Sequence, residues 1–231
     1  MKETICLNHK TEIEISPSAP FSFDGTFHKP SHFPTQDVAF ETDTYWQSMR
    51  FDGEIYGLKF ANQGTIDFPR LTLSIYHQDD TRLNINKLVE EIEYRYDLNC
   101  DLDSFYTSCS SDAFLSPAIK RWKGMRLSTP YSFYEFMVVT TMLQNTVVRR
   151  SVQMLQNLFD SYGEKISFDN KTLCAFWMPT TIDQIEEQAL RNIKLGYRAK
   201  TMKRQAAEYI SGKANPMILR KLSKDDLKKA L

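Results

Sequence analysis

The hydrophobic rhythm of the chain changes once, near Asn99, and that change limits the fold more than any other feature. Up to about Gln78 apolar and polar residues alternate, as in Glu12-Ile13-Glu14-Ile15, and β-formers crowd Tyr45-Trp46-Gln47-Ser48-Met49-Arg50-Phe51. A two-residue period buries one face of each segment and exposes the other, which is the pattern of antiparallel strands. Asp52-Gly53 suits the two positions of a tight hairpin turn into residues 54–60, and another strand is expected over 71–76. A helix is expected over 84–96, where Leu88, Ile92 and Tyr96 recur four residues apart. After Leu98 the spacing is helical throughout. The expected fold class is therefore α+β: an antiparallel sheet domain with a helix over residues 1–98, then an all-α domain over 99–231.

Local signals punctuate the helical part. Ser132 and Glu135 form a capping box for a helix through Phe136, Met137 and Thr140 to Leu143. A second helix carries Val148, Val152, Leu155 and Phe159 on one face and ends near Gly163, a candidate left-handed terminator. Two more are expected over 182–193 and 199–210, the latter with Ala199, Met202, Ala206 and Ile210 inward. Pro216 interrupts the chain, and Ser223 starts one more helix, which reaches Leu231.

Composition removes several function classes. No apolar run approaches the ~20 residues of a membrane helix, and the start lacks a leader's basic-then-apolar order. A cytoplasmic, nucleoid-associated or nuclear protein with no membrane partner is expected. Cys6, Cys100, Cys109 and Cys174 lie far apart with no histidine at ligand spacing, and zinc-protease, P-loop and dinucleotide motifs are missing. We expect no metal and no cofactor. The net charge of zero hides a split at Ile119. Residues 1–119 hold 9 basic and 19 acidic side chains (−10), and residues 120–231 hold 20 and 10 (+10). Such an excess attracts polyanions and makes their binding salt-dependent, although any single lysine is as well explained by solvation of a helix.

Two segments carry chemistry. In Phe136-Met137-Val138-Val139-Thr140-Thr141-Met142-Leu143-Gln144-Asn145-Thr146-Val147-Val148-Arg149-Arg150, an Asn sits where two helices meet. Read alone, Asn145 is a good helix N-cap. In Leu195-Gly196-Tyr197-Arg198-Ala199-Lys200, an aromatic and a guanidinium precede a helix. Read alone, Tyr197 is a half-buried ring closing the loop. Arg198 is then an exposed charge beside a helix N-terminus, which is unfavourable because that end is already positive.

Both segments resemble those of the helix-hairpin-helix DNA glycosylases, of the 3-methyladenine and 8-oxoguanine types. The resemblance is most specific over residues 102–231 and weaker over 21–76. It implies that Asn145, with Gln144 beside it, fills the hole left when a nucleotide is rotated out of the duplex. Tyr197 wedges into the stack, and Arg198 contacts the orphaned base. The physical terms agree: flipping costs a few kcal/mol, and an aromatic face returns roughly 1–3 kcal/mol of stacking. Arg150 and Lys200 complete the implied DNA-binding set, with Arg149 an alternative to Arg150. Gly124 and Arg126 fit a structural turn entering the helical domain.

The resemblance further implies a base-excision repair enzyme acting as a monomer on damaged double-stranded DNA. After residues 223–231 such proteins continue into a glycine-rich hairpin and a catalytic aspartate. The expectation is an incomplete glycosylase domain, inactive alone, with no catalytic residue among the 231 and the catalytic aspartate beyond Leu231. Asp183, Asp225 and Asp226 read as helix-start residues and not as its replacement. The stretch 28–33 lacks the glycine with which the 8-oxoguanine type reads its lesion, which favours an alkylated purine. Tyr197-Arg198 is closer to the 8-oxoguanine type. A cationic base would suit an aromatic pocket, for which Trp46, Trp122 and Trp177 are available. The alternatives are a non-catalytic DNA-binding module and a helical protein whose basic face meets an acidic partner.

Overall fold

The computed structural model describes residues 3–28, 35–78 and 84–230. In chain order the elements are β1 (Ile5–Cys6), β2 (His9–Ile15), α1 (Phe23–Phe27), β3 (Val38–Glu41), β4 (Thr44–Phe51), β5 (Glu54–Asn62), β6 (Leu71–His77) and α2 (Ile85–Tyr96). There follow α3 (Asp103–Cys109), α4 (Leu115–Arg121), α5 (Phe133–Leu143), α6 (Val148–Tyr162), β7 (Glu164–Phe168) and β8 (Lys171–Ala175). The chain ends with α7 (Pro179–Gln184), α8 (Glu187–Leu190), α9 (Arg198–Ile210), α10 (Pro216–Leu219) and α11 (Lys224–Ala230). They form two compact units: residues 1–130 with 164–175, and residues 131–163 with 176–231.

The first unit is built on a five-stranded antiparallel sheet in the order β2-β6-β5-β4-β3. Phe51 pairs with Glu54 across the expected turn, where Asp52 and Gly53 are both left-handed (φ 50° and 87°). The inner face packs Ile15, Leu58, Phe60, Leu73 and Ile75 against α1 and α2. Helix α2 starts where expected, with Asn84 capping the Lys87 amide, and it buries Leu88, Ile92 and Tyr96. Gly124 is left-handed (φ 80°) and its amide donates to the Tyr106 hydroxyl at 2.7 Å. Arg126 is fully buried and donates to the Ser18 carbonyl, in keeping with a structural role.

The outer face is covered by a small second sheet, β1-β7-β8, and here the expectation of helix throughout after Leu98 is corrected. Residues 164–175 form a hairpin whose turn, Asp169-Asn170, is left-handed at both positions (φ 45° and 58°). Alternation is present in Lys165-Ile166-Ser167-Phe168, with the Asp-Asn pair after it, but five residues lie inside a helical context that masks a two-residue period. Phe168 lands on β5 at Gly57, where an added Cβ would sit 2.6 Å from the ring. Asp169 accepts hydrogen bonds from Trp46 Nε1 (2.7 Å) and the Tyr76 hydroxyl (3.0 Å), and pairs with Lys59 at 2.8 Å. Asn99, the expected boundary, therefore lies inside the first unit. The pattern changes there, but α3, α4 and the later hairpin still belong to the sheet unit.

The second unit is helical. The Ser132–Glu135 capping box opens α5, and α6 packs its face of Ser151, Met154, Leu155, Leu158 and Phe159 inward. Val148 is 57% exposed, so the buried stripe is rotated from the expected one, because the first turn of α6 projects at the inter-helix turn. Gly163 is extended and not left-handed (φ −62°, ψ 156°); it is small because an added Cβ would sit 2.7 Å from the Phe159 carbonyl oxygen. The helix expected over 182–193 is two short ones, α7 and α8. Asp183 lies in the last turn of α7 and not at a helix start. Ala199, Met202 and Ala206 are buried in α9, whereas Ile210, in its last turn, is 46% exposed. The helix expected from Ser223 to Leu231 is α11, described as far as Ala230. Leu231 lies outside the described residues.

Candidate nucleic-acid interface

Two turns of the helical unit hold the residues singled out above, and each needs its backbone carbonyls satisfied. The first joins α5 to α6. A helix ends with four carbonyls that lack helical partners. Here Ser151 Oγ donates to Met142 O at 2.8 Å, and Arg198 Nε donates to Thr141 O at 3.1 Å. The second Arg198 nitrogen, Nη2, donates to Gln144 O. A cation at this point is also favoured by the partial negative charge of the α5 C-terminus. Asn145 then takes a left-handed conformation (φ 47°), which Asn tolerates better than most residues. The N-cap of α6 is Val147, with no side-chain cap. The capping alternative for Asn145 is thereby removed. Gln144 and Asn145 are both exposed.

The second turn leads into α9. After α8 the helical path over residues 191–195 breaks at Ile193 (φ −82°, ψ 21°) and Lys194 (φ 70°, ψ 27°). Gly196 follows at φ 62°, ψ −135°, a conformation open in practice only to glycine. The Ile193 carbonyl accepts from Asn157 Nδ2 at 2.8 Å, and the Lys194 carbonyl from Arg150 Nη2 at 3.0 Å. Tyr197 emerges 54% exposed at the N-terminus of α9, with the Arg198 guanidinium 4.7 Å from its ring centre. The alternative of a ring closing over the core does not describe it.

The two turns are thus tied to one framework: α9 holds the first through Arg198, and α6 holds the second through Arg150 and Asn157. Gln144, Asn145 and Tyr197 face solvent together with Val147, which is 70% exposed. Arg198 is a correction. It is 7% exposed and its bonded nitrogens are spent on carbonyls, so in this structure it shapes the site and does not present itself to a base. The reason is that an arginine inside a turn of exposed α5 carbonyls finds its strongest partners there. Of the remaining basic residues, Arg150 is partly used by Lys194 O. Arg149 and Lys200 are exposed and form no hydrogen bond or ion pair among the described residues. Sequence reasoning missed Asn157, because nothing local distinguishes an Asn on the polar face of a helix.

The aromatic pocket loses two of its three tryptophans, since Trp46 and Trp177 are 5% and 1% exposed within their own cores. Trp122 is half-buried. The stretch 28–33 lies, apart from His28, outside the described residues. Among the described residues no group of three or more His, Cys, Asp or Glu could hold a metal ion, and no helix is long and apolar enough to cross a membrane.

No family model matches the chain. It is similar to a probable N-glycosylase/DNA lyase from Methanothermobacter thermautotrophicus, 26% identical over 107 residues, or 46% of this chain. The match spans 34% of that protein, so the chain answers to about a third of its curated relative's length. In fold it matches the 3-methyladenine DNA-glycosylase from Archaeoglobus fulgidus, with a TM-score of 0.74 at 13% identity, covering 95% of this chain and 73% of that one. It likewise matches the 8-oxoguanine glycosylase/lyase of Clostridium acetobutylicum in its apo-form, with a TM-score of 0.68 at 15% identity, covering 99% and 74%. The same enzyme in complex with double-stranded DNA containing cytosine opposite 8-oxoguanine gives a TM-score of 0.63 at 15% identity, covering 97% and 72%. The α+β architecture described above is the fold of these DNA glycosylases.

Proposed function

We propose that this chain, having the fold of DNA glycosylases, is the duplex-opening part of a base-excision repair glycosylase that flips a damaged purine out of double-stranded DNA. The observation that carries the reading is the pair of clamped turns, which present an amide pair (Gln144, Asn145) and an aromatic ring (Tyr197) on one side of the helical unit. An amide can hydrogen-bond the orphaned base, and a ring can replace its lost stacking. Arg149, Arg150 and Lys200 supply the positive surface that holds phosphates. Arg198 acts by fixing the Asn145 turn.

Cleavage of the N-glycosidic bond is assigned to residues beyond Leu231, outside these 231. The carboxylates nearest the C-terminus have other work: Asp226 Oδ2 accepts from the Ser223 hydroxyl, whose oxygen accepts in turn from the Asp226 amide, and Asp225 lies with it in the first turn of α11. Among substrates, an alkylated purine is favoured by the missing glycine in 28–33, and 8-oxoguanine comes next. The protein acts as a monomer where genomic DNA lies, in the cytoplasm or nucleus.

The test uses a duplex with 2-aminopurine beside the lesion, whose fluorescence rises when the base unstacks. The 231-residue chain is expected to raise it on 3-methyladenine-type and 8-oxoguanine duplexes, more on the former, and to release no base. Tyr197→Ala should abolish most of the rise. Base release by the chain itself would overturn the assignment of chemistry elsewhere, and duplex binding with no unstacking would favour a non-catalytic DNA-binding module.

A further inference from the structure

Helix α6 reaches the Tyr197 loop through two side chains seven residues apart on one face. Arg150 is exposed and long, so its bond to Lys194 O competes with solvent and, in the reading above, with phosphate. Asn157 is different. It is partly buried, has a short side chain, and donates to Ile193 O at 2.8 Å. Its own oxygen accepts from Gln153 Nε2 at 3.0 Å, one helical turn earlier. The amide is held at both ends, with its donor facing the residue at which the helical path breaks.

That break sets the direction in which the chain leaves α8. Ile193 and Lys194 have non-helical dihedrals, Gly196 takes a conformation closed to other residues, and Tyr197 follows. Leu195 is buried at 1% exposure and anchors the middle of the loop. The exposed ring of Tyr197 has the Arg198 guanidinium beside it, 4.7 Å from its centre. Its position therefore depends on the backbone upstream, where the Lys194 carbonyl is held by the exposed Arg150 and the Ile193 carbonyl by the partly buried Asn157.

We infer that Asn157, through its hydrogen bond to the Ile193 carbonyl, is a positioning residue that sets the backbone path presenting Tyr197 for insertion into the duplex. The inference rests on the flipping role proposed above. A wedge contributes only if its ring arrives within a fraction of an ångström of the gap, and a loop free to revert toward regular helix would move the ring by more than that. Asn157 touches no DNA in this arrangement, so its loss should act on the wedge and not on the phosphate contacts.

The experiment compares affinity for a duplex with a tetrahydrofuran abasic site with that for the same duplex intact, using the 231-residue chain. A wedge gains most where no base need be displaced, so the ratio of the two affinities reports insertion and cancels non-specific binding. Asn157→Leu removes the donor at similar volume, and Asn157→Asp keeps the acceptor for Gln153 while removing the donor. Each is expected to lower the ratio about five- to tenfold. Hydrogen exchange at the amides of residues 195–198 should speed up in the same variants. A wild-type preference that survives both substitutions overturns the inference and leaves the flipping reading standing. A wild type with no abasic preference overturns both. Global unfolding of both variants also overturns it, since a contact that only positions a surface loop cannot carry the fold.

Discussion

At the scale of single residues, Arg198 shows how much a motif conveys. The sequence puts a guanidinium next to Tyr197, but its direction depends on the carbonyls of Thr141 and Gln144, 57 and 54 residues away in the chain. No local pattern encodes that meeting. Arg198→Lys keeps the charge but offers a point donor that cannot span both carbonyls. We expect it to lower the stability to urea by about 1–3 kcal/mol with no DNA present. Unchanged stability with weakened binding would show instead that the residue reads a base directly. Gly57 is the opposite case, a residue whose role is only steric. An alanine there meets the Phe168 ring, and Gly57→Ala should cost about 1–3 kcal/mol, much of it recovered when Phe168→Leu is added. The places of Asn145 and Tyr197 in exposed turns were legible because residues in short turns owe their place to the turn and not to distant partners.

At the scale of elements, periodicity gave the strands of the large sheet, helix α2 and the capping box, where a single face meets a single core. It failed at β7 and β8, which are five residues each and buried against a sheet formed some hundred residues earlier. Docking of that hairpin rests on Asp169. Burial alone would raise its pKa, but hydrogen bonds from Lys59, Trp46 and Tyr76 outweigh that and hold the carboxyl below its usual value. A carboxyl with a lowered folded-state pKa contributes stability that is complete above its unfolded value, near 4, and is lost as pH falls through the folded one. Asp169→Asn removes the charge while leaving an acceptor. The variant should be less stable than wild type at pH 7 by roughly 1–2 kcal/mol. The gap should close as pH is lowered from about 5 to about 3, as read by thermal unfolding. A gap that stays constant across that range would mean that the neutral hydrogen bonds alone hold the hairpin.

At the scale of the whole molecule, the charge division seen along the chain persists in a reduced form. The helical unit carries 14 basic and 8 acidic residues, a net +6, and the sheet unit 15 and 21, a net −6. The reduction has a structural cause: Lys120, Arg121, Lys123 and Arg126, counted in the basic half of the sequence, belong to the sheet unit, where Lys123 pairs with Asp67 and Arg126 is buried. What remains on the helical unit includes Arg149 and Lys200, exposed near the two turns and free to meet phosphate. Phosphate contacts and wedge contacts respond differently to salt, because only the former release counterions. With about four phosphates neutralised, affinity for an intact duplex should fall about 100-fold between 50 and 200 mM salt. Arg149→Ala should reduce the slope of log affinity against log salt by about one, whereas Tyr197→Ala should leave the slope unchanged while removing the preference for an abasic site. If Tyr197→Ala changes the slope and Arg149→Ala does not, then the basic side chains of the helical unit serve its solvation, and the polyanion reading of the charge division is lost.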